Sequence, residues 1–581
     1  MDNSKRKLAF AKSSEENAKK SRSKMVKCIM AKLVFFLYFN EDQWINSFEN
    51  VCNDIFYEIC DYLEGLDICR AFLNLNSRFQ QLLKHSSIRL KINIYNSTQK
   101  DEFFKYSKVI KRQIHSISLQ ILRYSLDQFF SIDRSFHNLQ SISIGDIESD
   151  QLISLLIHLR HLPCLYSLNI KTTDLIDDLN EIYQLIFSLP KLKSSKLDLY
   201  RDELSISIPI SNNSSRSPIE FLYVVHYCTF DELSVIISCT PFLRHLKLSQ
   251  TNKNDRDLTN LVPMNLNHLS ICISDLNFAE FELFVRKIHS TNLKILHINF
   301  AQRDIRFLRA DCWQKLLSQQ FPQLENFSLC YRELGFRGEH PAYGGELNSF
   351  VSLFWIQLNL IFDIEIRENA NFYFIRSLKK RWYQHSLEHS KSTQLTVKYV
   401  YSYEPAHLLL QQIKRVLNFT QIYHLNIEQK ISTMRLMEIL HLLPDLITLK
   451  INSLSLYQTS FRVFERELDR TLVLEHTNNI KCVYLEKTFT TKDISFLISF
   501  CPQMKYLNVE CLQNMNIQLF LRKILKQMNE KHHEYLRSLC IYTKKADEQM
   551  VKELNEMISQ ETLLADYTIR RELYNIHLKW K

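Results

Sequence analysis

Glycine is scarce in this chain, 6 in 581 residues, where ~7% is usual. Four of the six (Gly335, Gly338, Gly344, Gly345) lie in one short stretch, so the remaining turns must be made by residues with ordinary backbone preferences. The scarcity argues against nucleotide-binding folds built on glycine turns. Prolines are few as well, 11 in all, and the 14 cysteines contain no CxxC pair and no regular spacing between Cys28 and Cys540. A disulfide framework would be denser and a zinc site would be clustered, so the thiols are expected to be reduced and the protein intracellular. The apolar run Leu33 to Phe39 is seven residues long, short of the ~20 needed to span a bilayer. The long basic stretch before it, with no small-residue cleavage pattern after it, argues against a secretory signal.

What is abundant is apolar surface. Hydrophobic residues make up 45% of the chain and aromatics 12%, enough to drive folding by burial at about 25 cal/mol per Å². The net charge of +10 is unevenly placed: residues 1–27 carry nine Lys/Arg against Asp2, Glu15 and Glu16, a net +6, and leave +4 for the rest. A nucleic-acid-binding body is therefore not demanded by charge. The basic clusters Lys5-Arg6-Lys7 and Lys19-Lys20-Ser21-Arg22-Ser23-Lys24 read either as a solvated leader or as a bipartite nuclear-import signal.

From Phe48 to Leu83 the pattern turns helical. Val51, Ile55, Ile59 and Leu63 recur every fourth residue, which places them on one face of one helix. Glu64-Gly65 interrupts it, a second set follows at Leu66, Ile68, Phe72 and Leu75, and after Asn76-Ser77 a third short helix bears Phe79, Leu82 and Leu83. Three helices this short bury little alone, so part of their apolar surface is expected to pack on a neighbour or a partner.

A repeating unit begins near residue 110. The arrangement LxxLxL occurs as IHSISL from Ile114, LQSISI from Leu139, LYSLNI from Leu165, IEFLYV from Ile219, LRHLKL from Leu243, LNHLSI from Leu266, LKILHI from Leu293 and LENFSL from Leu324. It returns as IYHLNI from Ile422, LITLKI from Leu446, IKCVYL from Ile480, MKYLNV from Met504 and LRSLCI from Leu536, with a stretched copy, LKSSKLDL, at Leu192. Most steps between neighbours suit one strand plus one helix. Pro163, Pro190, Pro241, Pro322, Pro444 and Pro502 each stand two residues before the first apolar position of a unit. Proline ends a helix and favours extended backbone before it, so it suits the passage from each helix to the next strand.

Two family resemblances follow. Asp54, Ile55, Ile59, Tyr62-Leu63, Asp67-Ile68, Leu75, Arg78 and Phe79 resemble an F-box in order and spacing, with Val51-Cys52 where that family has Leu-Pro and one extra residue between Asp67 and Phe79. The units behind it resemble leucine-rich repeats, although most lack the Asn or Cys that family places in its turns, so irregular turns are expected. The resemblance implies an α/β chain in which a three-helix module precedes a solenoid of parallel strands and outer helices. It divides the chain into a basic leader (1–45), a helical module (46–90), a first solenoid part (105–333), an irregular or inserted region (334–415) and a second solenoid part (416–581). It also implies a substrate-recognition subunit of an SCF-type ubiquitin ligase, cytoplasmic or nuclear. Val51, Cys52, Ile55, Ile59, Leu63, Leu66, Ile68, Phe72, Leu75 and Phe79 would meet a Skp-type adaptor on its cullin scaffold, and the repeats would hold an unidentified target protein.

Within LxxLxL the residues between the apolar ones face the other side of the strand. That side holds Ser167, Asn169, His245, Lys247, His268, Ser270, His297, His424, Asn426, Thr448, Lys450, Tyr484, Tyr506 and Asn508. The histidines, lysines and tyrosines among them are the candidate target-binding residues. Their chemistry suits a protein or peptide, including an acidic or phosphorylated one. Searches for catalytic chemistry yield one motif, HxxEH at His385, Glu388 and His389, which reads as a solvated helix face, with a zinc peptidase as the rival. The Gly335–Gly345 stretch lacks the Gly-Lys-Ser/Thr of a phosphate loop. No catalytic residue, metal, cofactor or membrane association is expected, and a nucleic-acid partner is disfavoured.

Overall fold

In the computed structural model the described residues run from 52 to 581, except 121–134, 175, 177–178, 200–215, 253–265, 275, 289–291, 303, 334–348, 368–369, 378–381, 383–390, 400–405, 456–478, 489–490, 512–515 and 531–534. The basic leader, the Leu33–Phe39 run, Val51, the glycine-rich stretch and His385, Glu388 and His389 lie outside the described residues. The chain forms two compact units, residues 1–269 with 287–289 and residues 270–286 with 290–581. Twenty strands and fifteen α-helices are present among the described residues, and the strands are mostly parallel. The class is α/β.

The first unit begins with three short helices, α1 (Asn53–Tyr62), α2 (Gly65–Phe72) and α3 (Ser77–Lys84). Their core is an aromatic triad: Phe56, Phe72 and Phe79 have ring centroids 5.2, 5.3 and 5.4 Å apart. Each break has a capping side chain. Glu64 accepts from the Leu66 amide (2.8 Å) at the start of α2, and Asn76 accepts from the Phe79 amide (3.1 Å) at the start of α3.

The module sits against β1 (Leu90–Ile94), which leads through α4 (Ser97–Ile110) into β2 (Ile114–Gln120). The strands β3 (Ser141–Ile147), β4 (Ser167–Thr172), β5 (Ser194–Asp198), β6 (Phe221–Thr229) and β7 (His245–Asn252) follow. Each pairs in parallel with the one before it. Helices α5 (Ser149–Leu159), α6 (Asn180–Phe187) and α7 (Phe230–Cys239) lie between strands and bury their apolar sides. Parallel neighbours need such crossovers.

β8 (His268–Ser274) and α8 (Phe278–Ile288) contribute residues to both units. In the second unit β9 (Ile295–Gln302), α9 (Ala310–Gln320) and β10 (Asn326–Glu333) continue the parallel pattern. A short helix, α10 (Leu353–Gln357), then leads into a hairpin of β11 (Leu360–Arg367) and β12 (Ala370–Ser377), and β12 pairs antiparallel with both β10 and β11. One reversed strand therefore separates β10 from β11. Parallel pairing resumes through β13 (Gln394–Tyr399), β14 (His424–Ser432), β15 (Thr448–Ser455), β16 (Cys482–Thr488), β17 (Tyr506–Cys511) and β18 (Ser538–Tyr542). Helices α11 (Ala406–Leu417), α12 (Thr433–His441), α13 (Thr491–Phe500) and α14 (Ile517–Glu530) alternate with these strands. After α15 (Glu548–Gln560), the antiparallel pair β19 (Tyr567–Glu572) and β20 (Asn575–Trp580) ends the array, with β20 on β18.

Every LxxLxL unit of the sequence falls on a strand, and all six phased prolines fall between a helix end and the next strand. At the strand starts the carbonyl just before a strand accepts two amides from the start of the following one: Gln140 from Tyr166 and Ser167, Tyr166 from Lys193 and Ser194, Lys193 from Glu220 and Phe221, Glu220 from Arg244 and His245, all at 2.8–3.0 Å. In the second unit Tyr423, Ile447 and Lys481 carbonyls do the same. Backbone thus satisfies backbone where each strand begins. Among the described residues positive φ outside glycine is confined to Asp146, Asn359, Thr562 and Leu573.

Candidate functional site: an apolar helix stripe and an open sheet face

On α1 the inward positions are Phe56 and Cys60, both buried, while Ile55, Ile59 and Leu63 of the every-fourth-residue series flank them and are not fully covered. Ile55 is 51% exposed and Tyr62 41%, Ile59 and Leu63 are half-buried, and Cys52 is exposed. Leu75, after α2, is 39% exposed. Asp54, Glu58 and Asp61 are also exposed on α1, so an apolar stripe lies among acids. The other expected adaptor contacts are placed differently. Leu66, Ile68, Phe72 and Phe79 are buried within the unit and hold it together, because a module this small must spend its largest side chains on its own core.

The far side of the module is tied to the sheet. The second oxygen of Glu64 accepts the Asn93 amide of β1 (2.7 Å), and Arg70 bonds the Glu102 carboxylate of α4 through two nitrogens at 2.6 and 3.2 Å. A Cβ on Gly65 would lie 2.6 Å from Ile92 Cδ1 and 2.7 Å from the Lys91 carbonyl oxygen. Glycine is required there for helix and strand to touch.

In the first unit's sheet the apolar positions are buried, and the residues between them form two rows across the strands. Lys91, Ser116, Ser141, Ser167, Ser194, Phe221 and His245 are register partners in one row; Asn93, Ser118, Ser143, Asn169, Lys196, Tyr223 and Lys247 are partners in the next. All are half-buried or exposed. Parallel sheets are ordinarily covered on both faces; this one carries helices against its apolar side and presents a polar side. At one end of the rows Phe221 stacks on His245 (centroids 4.3 Å apart) and His245 lies 5.6 Å from the ring of His268. Burial, and then the neighbouring Arg244, hold His245 below the usual histidine range. Beside them, the Lys247 and Lys196 ammonium groups stand 4.3 and 5.3 Å from the Tyr223 ring centroid.

The second unit treats its own rows differently. His424, expected on an open face, is fully buried, with its ring nitrogens 2.6 Å from Thr448 Oγ1 and 2.8 Å from the Lys391 carbonyl. Asn426 and Thr448 are buried too. Lys450 is ion-paired to Glu486 at 2.7 Å, and Trp382 packs edge-on against Tyr484 (5.0 Å) while donating to Gln394 (3.1 Å). The alternation puts these side chains on the correct side of their strands, but Trp382 and Lys391, which no repeat pattern marks, lie over that side. Tyr506 is half-buried and accepts from Asn508 at 3.2 Å, and His297 is half-buried.

Sequence reasoning missed Lys196, Tyr223 and Phe221 as members of one cluster. The signal was available, since register between equivalent LxxLxL positions aligns them. Among the described residues no group of three or more His, Cys, Asp or Glu could hold a metal ion, and no helix is long and apolar enough to cross a membrane. No protein-family model matches the chain, and no curated protein matches it.

Proposed function

We propose that the chain is the substrate-recognition subunit of an SCF-type cullin-RING ubiquitin ligase, with the helical module docking on a Skp-type adaptor and the open sheet face receiving the target. The observation that carries this reading is the apolar stripe of α1, where Ile55 and Tyr62 are exposed and Ile59 and Leu63 only half-buried while the module already has a complete aromatic core. An exposed large aliphatic or aromatic side chain gains about 1.5–3 kcal/mol when fully covered, so a partner seated on this stripe would gain from several at once. The F-box resemblance of the same residues and the leucine-rich-repeat resemblance of the strand–helix units support the reading.

Such a subunit performs no bond chemistry. It raises the concentration of target lysines near a charged ubiquitin-conjugating enzyme, an effective-molarity effect. The reading places the protein in the cytoplasm or nucleus, where that machinery works. The test is co-purification with a Skp-type adaptor. Ile59→Asp together with Leu63→Asp should abolish it and leave the sheet folded; undiminished adaptor binding by that variant overturns the reading.

A second reading has its own observation. The ties from Glu64, Gly65 and Arg70 to β1 and α4 are what a helical cap on the first strand would need. On that reading the chain is a repeat scaffold unrelated to ubiquitin, and wild-type protein binds no adaptor.

A further inference from the structure

The first strand and the last hairpin treat their outer edges differently. At β1 the Asn93 amide is accepted by Glu64 of the helical module, which closes that edge. At the other end β19 pairs with β20 alone among the described residues, and its far side is open. The Lys581 amide of the β20 strand donates to the Asp566 carbonyl at 3.1 Å. Along an antiparallel strand, residues that bond one neighbour alternate with residues that do not, so Thr568, Arg570 and Glu572 also serve β20. Tyr567, Ile569 and Arg571 therefore turn their N–H and C=O groups away from it. Strand backbone presented in this way is a template for another strand.

The side chains on the two faces are fixed as well. Tyr567 and Arg571 look toward α15, the first donating to Asn555 Oδ1 at 2.8 Å and the second lying 3.6 Å from Glu548. Asp566, Thr568, Arg570 and Glu572 alternate with them on the opposite face, and all four are exposed. Charged side chains ordinarily blunt an edge, but this set complements itself when a second copy runs antiparallel. With Thr568 opposite Thr568, Arg570 falls opposite Asp566 in both directions, and on the helix side Tyr567 falls opposite Ile569 in both directions. Centring the pairing on Tyr567 instead leaves both charges without a partner, centring it on Ile569 sets Asp566 against Glu572, and centring it on Arg570 sets that cation on itself. Asp566 and Arg570 already have exposed neighbours of opposite charge, Lys581 at 2.7 Å and Glu572 at 3.0 Å. Such surface pairs contribute little and hold neither side chain firmly.

We propose that β19 is the edge through which two copies of this chain associate, their strands pairing antiparallel about a two-fold axis at Thr568. Backbone bonds from Tyr567 and Ile569 join the copies, the Tyr567–Ile569 pairs cover apolar surface, and the Arg570–Asp566 pairs set the register. The contact is self-complementary and closed, as a two-fold interface must be. Its short overlap makes the association weak and concentration-dependent. The inference goes beyond the ligase reading and stands or falls without it.

The test is sedimentation equilibrium of the full chain at concentrations up to about 100 µM, where an association in the tens of micromolar is visible. The weight-average mass should rise toward that of two chains. Arg570→Glu turns two favourable pairs into two repulsive ones and should weaken association at least about tenfold, and Asp566→Arg should do the same. An equimolar mixture of these two variants restores opposite charges at both pairs and should recover wild-type association, which also shows that each variant is folded. Both changes in one chain should recover it too. Wild type that stays monomeric overturns the inference and leaves the edge to a strand of another protein. Single variants that associate like wild type, or a mixture that associates no better than its components, overturn it as well.

Discussion

Glu64 and Asn93 are joined across 29 residues of sequence by a hydrogen bond from the Asn93 amide to Glu64 Oε1 at 2.7 Å, while the other oxygen of the same carboxylate caps α2 at Leu66. One side chain therefore starts a helix and fastens it to the first strand. Glu64→Ala should lower the local stability of this junction by about 2–3 kcal/mol, two hydrogen bonds' worth, and Glu64→Gln by about half, since one acceptor oxygen remains. Hydrogen exchange at the Leu66 and Asn93 amides measures both. Burial outweighs the two amide bonds and raises the Glu64 pKa. Its contribution is thus complete below the ordinary glutamate range and declines as pH rises through the raised value, a dependence that Glu64→Gln should remove.

Gly65→Ala tests the close approach of α2 to β1. With a Cβ only 2.6 Å from Ile92 Cδ1 and 2.7 Å from backbone at Lys91, the helix must retreat from the strand. Faster exchange throughout 53–84 is expected, whereas Gly145→Ala, whose nearest neighbour would be 3.5 Å away, should leave exchange in β3 unchanged.

Thiol chemistry reports on the module directly. Cys60 and Cys69 are buried, and burial pushes both thiols up to about 12, assisted at Cys60 by Asp61 and at Cys69 by Glu64. At neutral pH they are protonated and unreactive, while Cys52 is exposed. Alkylation followed by peptide mass spectrometry should label Cys52 first, with Cys60 and Cys69 labelled only as fast as the module opens. Gly65→Ala should accelerate the latter two.

The reversed strand depends on a buried ion pair. Glu333 of β10, nearly inaccessible, pairs with Arg415 of α11 at 2.6 Å and accepts from Tyr373 and Asn371 of β12, both at 3.3 Å. Removing one partner, as in Glu333→Ala, strands a buried charge and should cost about 3–5 kcal/mol. Replacing both by methionine should cost markedly less, a non-additivity that a double-mutant cycle measured by hydrogen exchange in β12 would reveal.

These elements differ in how well the sequence announces them. The LxxLxL strands are legible because their period of two is set by one buried and one open side, and the phased prolines mark where helices stop. The β11–β12 hairpin escapes that search because β12 runs the opposite way and β11 is buried on both sides, with Asp363 bonded to Arg376 and Glu365 to Arg367 and Lys398. Charged residues read as surface unless their partners are known, and two of those partners, Arg376 and Lys398, lie on other strands. β1 was available to the same eye, since Leu90, Ile92 and Ile94 alternate, but it lacks the spaced first leucine. On α1 the spacing identifies one face correctly and cannot say that this face looks outward, because that depends on Phe72 and Phe79 meeting Phe56 from other helices. The covering of His424 by the Lys391 carbonyl is a long-range event with no local signature.

The most direct test of the account is hydrogen exchange on the full chain with and without a purified Skp-type adaptor. Slowed exchange confined to 53–63 and the turn at Leu75 is the predicted result, and Ile55→Asp should abolish it. No change in exchange anywhere in 53–84 at saturating adaptor would contradict the claim that a second polypeptide completes this helix face.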